Sequence, residues 1–239
     1  MKRQLIKTDN LAKLHKLAAA MIVDQIRPAL KEKQEFLLAI SGGSTPRGLF
    51  ELLSSDYADD FPAGRTRIFW CDERCVPYAD DRSNFGTARR LWLDKVDYPA
   101  ENLHPVPTEF DPTMAAENYE RELRRRLPEK NSSFDLCLLG MGTDGHTASI
   151  FPGSPALSHG GRFALSVSPP AGVEPALKRV TLTPEALCRS RRLMVMIAGA
   201  KKARLADSVM ACDPASARLP VALLSAREEM IWLVATSDS

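Results

Sequence analysis

The chain has 239 residues, 44% of them hydrophobic and 26% charged, ordinary globular proportions that suffice for one α/β domain over 1–239 with its own core. With 32 Lys and Arg against 30 Asp and Glu the net charge is only +2, which excludes a global field for holding nucleic acid or a membrane surface. Cys71, Cys75, Cys137, Cys188 and Cys212 form no C-x-x-C pair, and no apolar run reaches the roughly 18 residues of a membrane span; no disulfide framework, zinc site or membrane anchor is expected, and a reducing cytoplasm is the implied compartment.

From Leu11, apolar residues at Leu14, Leu17, Ala18, Met21, Ile22, Ile26 and Leu30 recur at helical spacing, with Asp9 or Asn10 as cap; Pro28 is expected to kink this helix or end it early. FLLAI (36–40) is a short buried strand, followed by SGGSTP, and Pro46 is placed to open a helix over 47–55. RIFWC (67–71) is the next strand, then helices over 83–96 and 111–127. FDLCLLG (134–140) is a strand, and further strands are expected at 162–167, 179–183, 193–199 and 230–236, with a helix over about 200–211. Buried strands alternating with amphipathic helices predict a three-layer α/β/α, Rossmann-like fold with a mainly parallel sheet. The Pro-rich passages YPAENLHPVPTEFDP and SPPAGVEPALKR are expected as surface loops, and Arg124-Arg125-Arg126 as a solvated helix face beside Glu117, Glu120 and Glu122.

Three unusual loops follow predicted strands, where open parallel sheets bind ligands. Gly42, Gly43, Ser44 and Thr45 offer close-approaching amides, two hydroxyls and a helix N-terminus, a natural cradle for phosphate; the alternative is a tight turn and nothing more. The third loop, after FDLCLL, matches G-x-G-x-x-G at Gly140, Gly142 and Gly145. A dinucleotide fingerprint also needs an uninterrupted helix and an acidic residue some 20 positions on, but Pro152 and Pro155 cut any helix short and no Asp or Glu occurs between 146 and 173. What remains is a glycine turn carrying Asp144 and His146. Histidine is the side chain whose ordinary pKa, about 6.5, suits proton transfer at neutral pH, and His146 is the catalytic candidate; His15, His104 and His159 are taken as structural.

SGGSTP, WCDERCVP followed by SNFG, LGMGTDGHTASIFPG, RVTLT and GAKKA resemble, in order and spacing, the 6-phosphogluconolactonases, with Ile150 where that family usually has Leu. The resemblance implies a lactone hydrolase without metal or cofactor. It implies His146 as general base, oriented by Asp144, and substrate contacts from Gly42, Gly43, Ser44, Thr45, Asp72, Arg74, Asn84, Gly142, Arg179 and Lys202. Arg74, Arg179 and Lys202 would meet the phosphate, although Arg74 could instead pair with Asp72 or Glu73; the amide of Gly142 would receive the oxyanion. Lys202 in the first turn of a helix is unfavourable to the dipole unless an anion sits nearby.

The same segments are similar to glucosamine-6-phosphate deaminases. Those enzymes carry a glutamate where this chain has Phe151 and an aromatic residue where it has Arg74. A deaminase and a non-catalytic sugar-phosphate sensor are the alternatives. The expected partner is a small sugar-phosphate lactone, with neither nucleic acid nor membrane, and the expected state is a monomer or weak homodimer.

Overall fold

The structure, a computed structural model, describes residues 1–127, 133–158 and 160–237. In chain order its elements are β1 (Lys2–Thr8), α1 (Leu11–Glu32), β2 (Phe36–Ile40), α2 (Arg47–Ser54), β3 (Thr66–Trp70), β4 (Asp72–Arg74), α3 (Asn84–Leu91), β5 (Leu103–His104), α4 (Pro112–Arg126), β6 (Leu136–Leu139), β7 (Ala164–Val167), β8 (Arg179–Leu182), α5 (Pro184–Cys188), β9 (Arg192–Ala198), α6 (Ala200–Met210) and β10 (Glu229–Ala235). Seven strands form a parallel sheet in the order β1-β10-β9-β6-β2-β3-β5. Strands β6, β9 and β10 are buried almost without interruption, as apolar runs covered on both faces require. No helix among the described residues is long and apolar enough to cross a membrane.

The expected α/β sheet is therefore present, with three corrections. The strands predicted at 162–167 and 179–183 do not join it: β7 and β8 pair antiparallel with β4 in a separate small sheet, ordered β4-β8-β7. Short buried runs have the same pattern in either kind of sheet, so periodicity does not separate them. Residues 2–8 form edge strand β1 on β10; their exposed, charged side chains, which hide a strand signal, suit an edge. Helix α1 runs through Pro28 to Glu32. Pro28 is on the exposed face while Ile26 and Leu30 are buried on the other, and packing outweighs the lost hydrogen bond. The arginine run on α4 is paired, Arg124 with Glu120 and both Arg125 and Arg126 with Glu122.

Strand β2 has β3 on one side and β6 on the other, so the chain reverses its direction of winding there, and the loops leaving β2 and β6 diverge above the sheet. The C-terminal end of α3, away from the cleft, is anchored by its cap residue Trp92, fully buried against Phe50 and Phe61 at ring-centroid distances of 6.0 and 4.9 Å.

Candidate active site

The turn after β6 is organised around an absent side chain. A Cβ on Gly142 would lie 2.2 Å from His146 Nδ1 and 2.6 Å from Asp144 Oδ1, so only glycine lets both side chains fold over the backbone there. His146 Nδ1 is 2.6 Å from Asp144 Oδ1, which also accepts the His146 backbone N–H at 3.2 Å. Burial alone would raise the Asp144 carboxyl, but the backbone N–H and the charge of His146 outweigh it and hold the group below its ordinary value. With Nδ1 engaged, Nε2 is the nitrogen left for a water. The face of the imidazole rests on Phe151, 4.9 Å between centroids. No α-helix follows the turn: Thr147 and Ile150 pair in an isolated bridge and the next helical residues are the single 3-10 turn Pro155–Leu157, which leaves a dinucleotide fingerprint without its helix.

The structure corrects one expectation here. The Gly142 N–H donates to the His146 carbonyl at 2.9 Å, and the Gly145 N–H to the Gly142 carbonyl at 3.1 Å. Both amides close the turn on itself, so Gly142 is not an available oxyanion donor.

Across the cleft, SGGSTP leaves β2 with Gly43 at φ 97°, a left-handed conformation that favours glycine, and Pro46 caps α2 where a first helical position was expected. His15, set aside as structural, is buried in α1 and donates from Nε2 to the Thr45 carbonyl at 2.6 Å, bracing this loop from below. Asn84, first residue of α3, fills the space a Cβ on Gly42 would need; that atom would fall 2.0 Å from Asn84 Oδ1. Its amide donates to the Asp72 carbonyl at 2.8 Å and to the Asp72 carboxylate at 3.3 Å.

Two arginines face each other here. Arg74 on β4 and Arg179 on β8 are register partners, a like-charged pair placed directly opposite, which costs energy unless an anion lies between them. Arg74 takes neither Asp72 nor Glu73 as an ion-pair partner among the described residues; Nη1 donates to the Arg82 carbonyl at 2.8 Å and its buried Nε is unpaired. Arg179 is 3% exposed, and burial, with the charge of Arg74, lowers its pKa. Its Nη1 and Nη2 donate to Ser149 Oγ at 3.4 Å and the Pro175 carbonyl at 3.1 Å, its Nε has no partner among the described residues, and its guanidinium lies 5.3 Å over the Phe151 ring.

One cleft of about 330 Å³ is lined by Gly42, Gly43, Ser44, Thr45, Asp72, Arg74, Asn84, Gly142, His146, Arg179 and Lys202, with Asp144 behind His146. All the predicted site residues thus come together. Glu174 and Ser149 escaped prediction. Glu174 lines the cleft from the loop expected to be surface, where it is the first acid after a long gap. Ser149 is buried, donates to Asp72 Oδ2 at 2.6 Å and meets Arg179; it lies in the quoted DGHTAS motif, but the motif does not show which groups its hydroxyl meets. Of the histidines taken as structural, His104 is buried with Nδ1 2.9 Å from Glu122, and His159 lies outside the described residues.

The model of the glucosamine-6-phosphate isomerase/6-phosphogluconolactonase family matches residues 9–232. The chain belongs to that family. It is 35% identical to a 6-phosphogluconolactonase of Synechocystis sp. over 91% of this chain and 89% of that protein. It superposes on the crystal structure of 6-phosphogluconolactonase from Thermotoga maritima with a TM-score of 0.85 and 29% identity, covering 98% of this chain and 100% of the other. The 6-phosphogluconolactonase from Leishmania guyanensis gives 0.87 and 26%, over 98% and 96%.

Proposed function

We propose that this family member hydrolyses 6-phospho-D-glucono-1,5-lactone to 6-phospho-D-gluconate in the oxidative branch of the pentose phosphate pathway, without a metal, and with His146 as general base. The carrying observation is the convergence, in one cleft, of a histidine braced by a carboxylate with Arg74, Arg179, Lys202 and the 42–45 loop. A sugar phosphate brings about −1.5 to −2 charge at neutral pH, and the opposed Arg74 and Arg179 form the kind of site that such charge relieves. The relatives named as 6-phosphogluconolactonases support the substrate.

In this mechanism water is held at His146 Nε2. Its oxygen forms the new bond to C1 while the proton passes to the imidazole, and Asp144 stabilises the imidazolium. The C1–O bond to the ring oxygen then breaks, and the ring oxygen takes the proton back; the carboxylic acid formed ionises to the carboxylate. The test is lactone disappearance with chelator-treated protein and with His146→Ala. Full turnover after chelation and loss of most activity in the variant support the reading; a full-rate variant removes His146 from it. Ammonia release from glucosamine 6-phosphate, or tight phosphogluconate binding with no turnover, would replace it by the deaminase or the sensor.

A further inference from the structure

Strand β4 presents alternate side chains to opposite sides, and two of its three residues, Asp72 and Arg74, line the cleft. The third, Glu73, turns away from it and is fully buried. Among the described residues its carboxylate takes only neutral donors. Oε1 accepts the backbone N–H of Arg74 and of Asn84, each at 2.7 Å. Oε2 accepts the N–H of Phe85 at 2.7 Å and the Ser83 hydroxyl at 3.1 Å. Three of these donors belong to the cap and first turn of α3, so Glu73 ties that turn to β4.

Burial without a cation is costly for a carboxylate, and it pushes the Glu73 carboxyl up to about 7 against the backbone donors that favour its charge. A neutral side chain would hold β4 and α3 together at lower cost, but it would not accept from four donors at once. The donors it organises belong to the substrate wall: Arg74 through its own N–H, and Asn84, whose side chain fits against Gly42 and holds Asp72.

We propose that Glu73 is a positioning residue for substrate binding, keying α3 to β4 so that Arg74, Asp72 and Asn84 meet the sugar phosphate in one fixed arrangement. The inference rests on the substrate reading above. Glu73→Gln is isosteric but turns an NH₂ toward donors it does not accept. The expected result is a rise of about tenfold in KM for the lactone and in Kd for phosphogluconate, with kcat within about threefold, since the His146 turn belongs to another loop. Amide hydrogen exchange at Asn84 and Phe85 should accelerate. Glu73→Asp keeps the charge on a shorter arm and should recover part of the affinity; if the Gln variant does not fold, raised KM and faster exchange in the Asp variant carry the test. Wild-type KM, Kd and exchange in Glu73→Gln overturn the proposal, as does a fall in kcat at unchanged KM, or failure of both variants to fold. A wild-type chain that neither hydrolyses the lactone nor binds phosphogluconate removes the substrate reading instead, and exchange alone then tests the keying.

Discussion

Replacing Asp144 by asparagine probes the pair at the centre of the cleft while keeping its shape. The carboxylate oxygen lies 2.6 Å from His146 Nδ1 and also holds the His146 N–H. When His146 takes a proton from water, the resulting imidazolium loses, in the variant, a charge-assisted hydrogen bond of about 1.5–3 kcal/mol, equivalent to about 10- to 150-fold in rate. The side chains of His146 and Asp144 are 26% and 40% exposed, so solvent screens the pair and the loss stays below the roughly 10⁴-fold of a buried triad. An asparagine that turns its NH₂ toward Nδ1 adds a second effect, forcing the ring proton onto Nε2 and removing the lone pair that accepts from water. We expect kcat to fall about 100-fold near neutral pH with KM within about threefold. The assay follows lactone generated in place by a glucose 6-phosphate dehydrogenase, with the uncatalysed rate subtracted. A kcat within threefold of wild type, or a loss confined to KM, would refute the assignment of Asp144 as the partner that stabilises the charged base.

Gly142→Ala forces its Cβ against His146 and Asp144, and displacing the base by even 1 Å should cost about 100-fold in kcat while circular dichroism and substrate affinity stay near wild type; an active alanine variant contradicts the packing. Arg179→Lys keeps a charge but gives up the planar fork and the contact with Phe151, so KM should rise about 10- to 100-fold with kcat less affected, and an unchanged KM would place the phosphate elsewhere. Between about pH 4.5 and 6.5 the stability slopes of two buried groups oppose each other. Burial raises Glu73 from 4.5 to about 7, so its contribution is full below 4.5 and is lost as pH rises through about 7. Burial, helped by Arg126, lowers His104 from 6.5 to about 4, so its contribution is present above 6.5 and is lost as pH falls through about 4. Each is about 3 kcal/mol. In Glu73→Gln the His104 slope is no longer opposed, so urea unfolding should show stability rising from pH 4.5 to 6.5 by about that amount more than in wild type, and profiles parallel to wild type would refute the assignment.

Much of the site was legible because its requirements are local. Glycines at 42 and 142 mark backbone that must come close to other groups, Gly43 marks a left-handed turn, and short apolar runs before each loop place those loops at strand ends, where a parallel sheet puts its ligands. The acid-free gap and early prolines after His146 are likewise enough to separate this turn from a nucleotide loop. Residue types with few alternative uses, a histidine close to an aspartate in such a turn and cations in three separate segments of the chain, carried the rest.

Long-range pairing decided what local pattern does not encode. A four-residue buried run has the same composition in a parallel and an antiparallel sheet, so only the register of β4 with β8 brings Arg74 opposite Arg179. Which acceptor an amide N–H meets, and which donors a carboxylate meets, depends on backbone directions set by packing far away; hence Gly142 N–H turns to the His146 carbonyl and not to the cleft, and Glu73 closes on α3 and not on Arg74's side chain. Ser149 sits in the same motif as His146 and Glu174 ends the acid-free gap, yet neither position shows by itself that its side chain meets Asp72 or the cleft, because a side chain's neighbours across space are a property of the folded chain and not of its order along it.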